Sequence, residues 1–306
     1  MELTWLMRLR IAGAMAAGVL LLGLGAWVLI EPSAPAGAIT IIAGDISVVD
    51  GAICIAIAFG AGVIGYFAAW PYGAEIGVLA APAGLGFWAL RTGDMAGLLR
   101  LNTAPGIDET IVQRQALLSV MKWEGLFWLA VVGAGFAGVK AAERLAKAKK
   151  PVDDYEIGNV NTHNVLNVAT ALIMTVVIAQ FALGVFAQDV RMFDSELGTV
   201  VGQPGRGQVA FAVVVSFAIA AYVVKWVLNV SYVWPTLAAG GIGYYSMWLS
   251  GKADVLKHML QTWPEAFFAR SVCGILPLQL VAFAGIGSVA GYWLAIKYVY
   301  WRKHGE

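Results

Sequence analysis

The side chains that could carry chemistry are few and scattered in this sequence. Its histidines are His163, His258 and His304. Haem held inside a helical bundle needs axial ligands, usually His, and all three histidines fall outside the apolar stretches, so a bis-His intramembrane haem is not expected. Cys54 and Cys273 are too few for a zinc or iron–sulfur site. Both lie near the same ends of apolar stretches, which leaves a disulfide open, but buried cysteine is more simply a small apolar residue. Gly60-Ala-Gly62-Val-Ile-Gly65 matches the dinucleotide-binding glycine pattern. No strand precedes it, so these glycines read as close helix contact, as do Gly287-Ser-Val-Ala-Gly291 and Ala80-Ala-Pro-Ala-Gly84. The paired carboxylates Asp108–Glu109 and Asp153–Asp154 fall in polar loops, where they are solvated surface. No Walker loop, zincin motif or nucleophile elbow is present. The expectation is a protein that is not an enzyme and has no cofactor or metal.

Two patterns could instead build a passage or a tight packing site. The third and seventh apolar stretches are short and broken by small residues: Pro82, Gly84 and Gly86 in one, Gly240, Gly241 and Gly243 in the other. Short Gly/Pro-interrupted segments at matching places in two halves point to a transporter site; the same glycines serve simple helix packing if the spans are shut. The polar side chains Gln180, Asn229 and Gln279 lie where they could line such a space. Ionisable groups in mid-membrane are costly and mark ion or proton relays, and the apolar stretches nearly lack them. Glu124 and Lys225 lie near span ends, where a long side chain can snorkel to the interface.

The elements that must position these residues follow from composition. The 306 residues are 60% hydrophobic and 13% charged, with mean hydropathy +0.75. A soluble domain carries about 25% charged residues, so a water-soluble fold is excluded, as is intrinsic disorder. The net charge of +1 offers no electrostatic footprint for nucleic acid. A bilayer core takes roughly 20 apolar residues per helix. Eight stretches approach that length: Ile11–Ile30, Gly51–Trp70, Ile76–Leu90, Trp123–Val139, Val165–Ala187, Val209–Leu228, Thr236–Leu249 and Val272–Ile296. Tryptophans gather near their ends, as in an interfacial aromatic belt. The expected fold class is all-α, a polytopic transmembrane bundle of about eight spans. Ala34-Pro35-Ala36 resembles a signal-peptidase site, but the apolar run before it is longer than a usual signal-peptide core, so it is read as a span.

An internal duplication organises these spans. Tyr66-Phe-Ala-Ala-Trp70-Pro71 closes the second span, and Tyr232-Val-Trp234-Pro235 closes the sixth. A short Gly-rich span, a Gly/Asp turn and an amphipathic segment follow each. The last span of each half carries Gly-x-Gly (Gly133 and Gly135; Gly285 and Gly287) and ends in basic residues. Two parallel four-span repeats are expected, 1–150 and 164–306, joined by a polar cytoplasmic linker at 151–163. The amphipathic segments read as interfacial helices: Ile107, Ile111, Leu118 and Met121 share one face, and Val255, Leu256, Met259, Leu260 and Trp263 another. Asp254 is expected to cap the later segment and Pro264 to stop it.

Even span number puts both termini on one side, which holds Arg8, Arg10, the cluster Lys140, Arg144, Lys147, Lys149 and Lys150, and Lys297, Arg302 and Lys303. By the positive-inside rule that side is cytoplasmic, which suits a multi-pass protein of the bacterial inner (cytoplasmic) membrane. The functional expectation is a non-catalytic structural or scaffolding subunit of a larger membrane assembly. Its partners would be membrane lipids and other membrane subunits, or a second copy of itself. A carrier or channel for a small neutral or hydrophobic solute, with its site between the repeats, is the first alternative. A lipid- or quinone-binding subunit of an electron-transfer complex is the second.

Overall fold

A computed structural model describes residues 4–32, 37–41, 46–146 and 165–304. The expected linker 151–163, the Ala34-Pro35-Ala36 site and the basic residues Lys147, Lys149 and Lys150 lie outside the described residues. Among the described residues, seven helical stretches are long and apolar enough to cross a membrane: Trp5–Gly25 (α1), Val48–Ala68 (α2), Gly73–Arg91 (α3), Ile107–Ala146, Val165–Phe186 (α7), Arg206–Leu228 (α8) and Pro277–Arg302. Such a set marks a multi-pass membrane protein. The fourth divides into Ile107–Met121 (α5) and Glu124–Ala146 (α6), and the last belongs to Pro277–His304 (α11). Met95–Leu101 forms α4 and Ala253–Thr262 forms α10. The stretch expected at Thr236–Leu249 is helical as α9, Val233–Ser250, but its Gly, Tyr and Ser content leaves it less apolar than the seven.

Local chemistry sets the helix ends. Ser47 opens α2 with a capping box: its hydroxyl accepts from the Asp50 amide, and the Asp50 carboxylate accepts from the Ser47 amide. Asn229 closes α8 in the left-handed region at φ 51°, which Asn tolerates better than most residues. The last span starts later than expected, at Pro277, because Ser271–Gly274 form a 3₁₀ turn. Pro277 suits a first helical position. The Gln279 side chain reaches back to accept from the Leu276 amide at 3.1 Å. In α1 the helix widens to π geometry over Val19–Gly25. The Gly23 carbonyl there accepts from the buried Trp88 indole at 2.8 Å.

Helix packing follows a similar pattern in residues 4–146 and 165–304. α2 lies along α6, and α8 along α11; α1 packs on α2 and α3, and α7 on α8 and α9. Each third helix crosses to the other half, α3 onto α11 and α9 onto α6, while α6 and α11 touch each other. Glycines make the two long pairings close. A Cβ on Gly62 or Gly138 would strike the backbone at Gly135 or Phe59, and one on Gly287 or Gly291 would strike Val214 or Ala218. This is the small-residue contact by which lipid-embedded helices associate. On α7, Ala171, Thr175, Ala179 and Leu183 are buried, whereas Ile173, Val177, Phe181 and Val185 are exposed. A helix apolar all round with its larger residues outward suits lipid on that face.

The end of the bundle away from the termini carries a cap of short elements. Besides α4, α5 and α10, it contains a three-stranded antiparallel sheet that the sequence reading did not foresee: Arg191–Asp194 (β1), Gly198–Gly202 (β2) and Phe267–Phe268 (β3), in that order. Arg191 pairs with Val201 and Asp194 with Gly198; Val201 pairs again with Phe268. The Asp194 carboxylate accepts from the amides of Glu196 and Leu197, and Gly198 takes φ +76°. An Asx turn and a left-handed glycine make this three-residue hairpin loop.

Candidate functional site

The residues singled out in the Gly-rich spans meet different neighbours. On α3, a Cβ at Gly84 would lie 2.6 Å from the Gly18 carbonyl and 2.8 Å from Leu22 Cβ, and one at Gly86 would touch Phe283 at 3.4 Å. Pro82 is buried, with its ring against Gly285. On α9, Gly240 meets Leu129 and Gly243 meets Leu280, but Gly241 is exposed, and nothing lies within 4 Å of its Cβ position. Gln180 is half-buried on α7. Gln279 is buried and joins two elements, since its amide also donates to the Ala89 carbonyl at 3.3 Å.

Lys225 and Glu124 are both buried and bonded within the protein. Lys225 is 8% exposed; its ammonium donates to Asn229 Oδ1 at 2.6 Å and lies 4.8 Å from the Tyr292 ring. The left-handed turn at Asn229 brings that acceptor back over α8. Glu124 is 2% exposed at the start of α6, where Oε1 accepts from the Ile41 amide at 2.8 Å. It holds the 37–41 segment, as does Thr92, whose hydroxyl accepts from the Ile39 amide at 2.6 Å. The thiols of Cys54 and Cys273 are free and buried.

Polar organisation concentrates in the cap. Gln203, just after β2, accepts from the Ala96 amide and donates to the Gly274 carbonyl at 3.0 Å, so it ties α4 to the 3₁₀ turn. α10 begins from Lys252, not from Asp254, which lies in its first turn where a carboxylate favours the helix dipole. Trp263 ends α10 ahead of Pro264, as expected. His258 on α10 is clamped by two acids of the hairpin: Nε2 lies 2.8 Å from Asp194 Oδ2 and Nδ1 3.1 Å from Glu196 Oε2. The Trp263 indole donates to the same Asp194 oxygen at 2.6 Å. The hydrogen bond to Asp194 raises the His258 pKa above its usual value. Asp194 is held well below the usual carboxylate range, chiefly by the Leu197 amide and then by His258.

Beside this clamp lies a cavity of about 140 Å³ between α4, α5, α10 and β3. Its wall is mostly apolar, with Leu118, Leu256, Leu260, Trp263 and Phe268 among its residues, and Arg114 and Glu265 also face it. The Arg114 side chain is 4% exposed. Its Nε donates to the Asn102 carbonyl at 3.3 Å, and its Nη2 donates to Thr103 Oγ1 and Glu265 Oε1, both at 2.8 Å. A second hollow of about 130 Å³ opens beside α5 and α9, near Gln115, Lys122 and Trp248.

Comparison with known proteins identifies no relative. No family model, curated protein or solved structure matches the chain. Sequence reasoning did not single out Arg114, Glu265 or the His258 pairing, because their partners are far along the chain: Arg114 and Glu265 are 151 residues apart. The usable signal was the amphipathic face of α10, which marks the apolar wall but not the ions beside it.

Proposed function

We propose that this chain is a non-catalytic structural subunit of a larger assembly in the bacterial inner membrane, with both termini in the cytoplasm. The observation that carries this reading is the packing of α3. That helix, with its Pro82–Gly86 segment, is almost wholly enclosed; Gly84 rests against Gly18 and Leu22, and Gly86 against Phe283. A helix embedded this way braces the two halves, since it packs on α1 and also on α11. The reciprocal packing of helices in the two halves supports an ancestral duplication into parallel four-span repeats, with α9 as the partner of α3. Lys140 and Arg144 at the end of α6, with Lys297 and Arg302 near the end of α11, support a cytoplasmic placement of that face. Lipid would cover the outward row on α7, and neighbouring subunits would meet the remaining apolar sides.

Purification from the native membrane in mild detergent tests the reading. The expected result is a particle larger than the monomer, containing other membrane subunits or further copies of this chain. A monomer at every detergent concentration would overturn it. Flux of a small neutral solute into proteoliposomes would instead establish the carrier alternative, and quinone in an organic extract of the pure protein the electron-transfer one.

A further inference from the structure

We infer that the cap cavity is a binding site for a small amphipathic anion, an aryl or short-alkyl carboxylate. Its walls supply the apolar half of the argument. A cavity of about 140 Å³ is close in size to one of about 150 Å³ that stays dry and takes benzene. It therefore fits one six-carbon ring or a short branched chain.

Arg114 supplies the polar half. A guanidinium has five N–H donors. Nε uses one and Nη2 two, on Asn102, Thr103 and Glu265. Among the described residues, the two Nη1 donors have no acceptor. The side chain that carries them is more than nine-tenths buried and lines the cavity. The fully buried side-chain atoms without a partner do not include Nη1, so both donors stay reachable by an acceptor that enters the cavity. Charge selects the ligand. Arg100 Nε also lies 3.6 Å from Glu265 Oε2, and Glu265 is the one carboxylate in ion-pair range of either arginine among the described residues. Within this cluster two guanidinium groups share one carboxylate, a local positive surplus, while the nearby Asp194 and Glu196 carboxylates are engaged by His258. A carboxylate matches the planar arginine fork better than a point anion does, and its apolar body matches the wall.

Benzoate is the probe, titrated into the full chain in an uncharged detergent and followed by calorimetry and by the fluorescence of Trp263, with toluene as the uncharged comparator. Saturable binding of benzoate at millimolar concentration is expected, with toluene weaker. Leu260→Trp, introduced at a half-buried position on the cavity wall, should abolish it. Glu265→Gln, at the half-exposed mouth, removes the competing negative charge and should tighten binding about tenfold. Arg114→Lys should weaken it by a similar factor. Circular dichroism verifies that each variant is folded, and Glu265→Gln keeps the test decisive if Arg114→Lys does not fold. Equal affinity for benzoate and toluene, unchanged binding in Leu260→Trp, or no saturation by benzoate would each overturn the assignment.

Discussion

Gly84 in α3 and Gly241 in α9 both lie inside Gly-rich helices, yet they meet different surroundings, and replacing each with alanine separates packing from helix propensity. Both substitutions remove a glycine from a helix interior, a gain of up to about 1 kcal/mol. At Gly241 the new methyl meets open space, so that gain stands alone. At Gly84 the methyl would lie 2.6 Å from the Gly18 carbonyl and 2.8 Å from Leu22 Cβ. Ordinary contact begins near about 3.5 Å, so α1 and α3 must part by roughly 0.9 Å at that point. Forcing one methyl into a filled helix contact costs about 1–3 kcal/mol. Because the propensity gain is common to both, Gly84→Ala should be less stable than Gly241→Ala by about 1–3 kcal/mol, or about 5- to 150-fold in the unfolding equilibrium. Reversible unfolding in mixed micelles, followed by circular dichroism, measures this difference. Equal stability of the two variants would refute both the closed packing of α3 and the structural reading built on it.

Gln279→Leu should destabilise the chain by about 1–3 kcal/mol, because it strands the buried Leu276 amide and Ala89 carbonyl; thermal unfolding measures the loss, and Gln279→Glu should restore the amide's acceptor. Asn229→Leu should be less stable than Asn229→Gly by about 1–2 kcal/mol from left-handed strain in the same assay, since both variants lose the acceptor for Lys225. The hairpin clamp makes cap stability depend on pH. The His258 pKa is raised, so its contribution is complete below its ordinary value of 6.5 and is lost as pH rises through the folded value. The Asp194 pKa is lowered, so its contribution is present above the ordinary 3.8 and is lost as pH falls through the folded value. Hydrogen exchange corrected for intrinsic rate should therefore show the hairpin and α10 best protected between about pH 4 and 6.5. His258→Gln should flatten the alkaline side, and protection that increases above neutrality would contradict the clamp.

The membrane character and most span positions were legible because the bilayer imposes length and hydrophobicity directly on sequence. Glycine spacing was legible in part: Gly62, Gly287 and Gly291 sit where close helix contact was expected, whereas nothing lies within 4 Å of a Cβ placed on Gly60. Gly241 shows the limit, since composition marks a glycine without telling which face of the helix it occupies. The partners of Glu124 and Lys225 were not legible, because nearness to a span end says nothing about them. The acceptor for Lys225 depends on one left-handed residue, and the donor to Glu124 comes from position 41, 83 residues away. The cap sheet was hidden for a similar reason. Its strands are short, and β3 joins β2 only after α8, α9 and α10 have intervened.

The way Gln203 and Glu265 stitch the cap has a consequence for biogenesis. Its amide and ion-pair bonds join the loop after α3 to segments near positions 200 and 270, so no early portion of the nascent polypeptide can finish this face. Insertion can proceed span by span, but closure of the outer surface must await the arrival of the final hairpin of helices. Protease resistance there would then report completed synthesis, and a chain halted before α11 would leave the membrane-inserted remainder open to quality control.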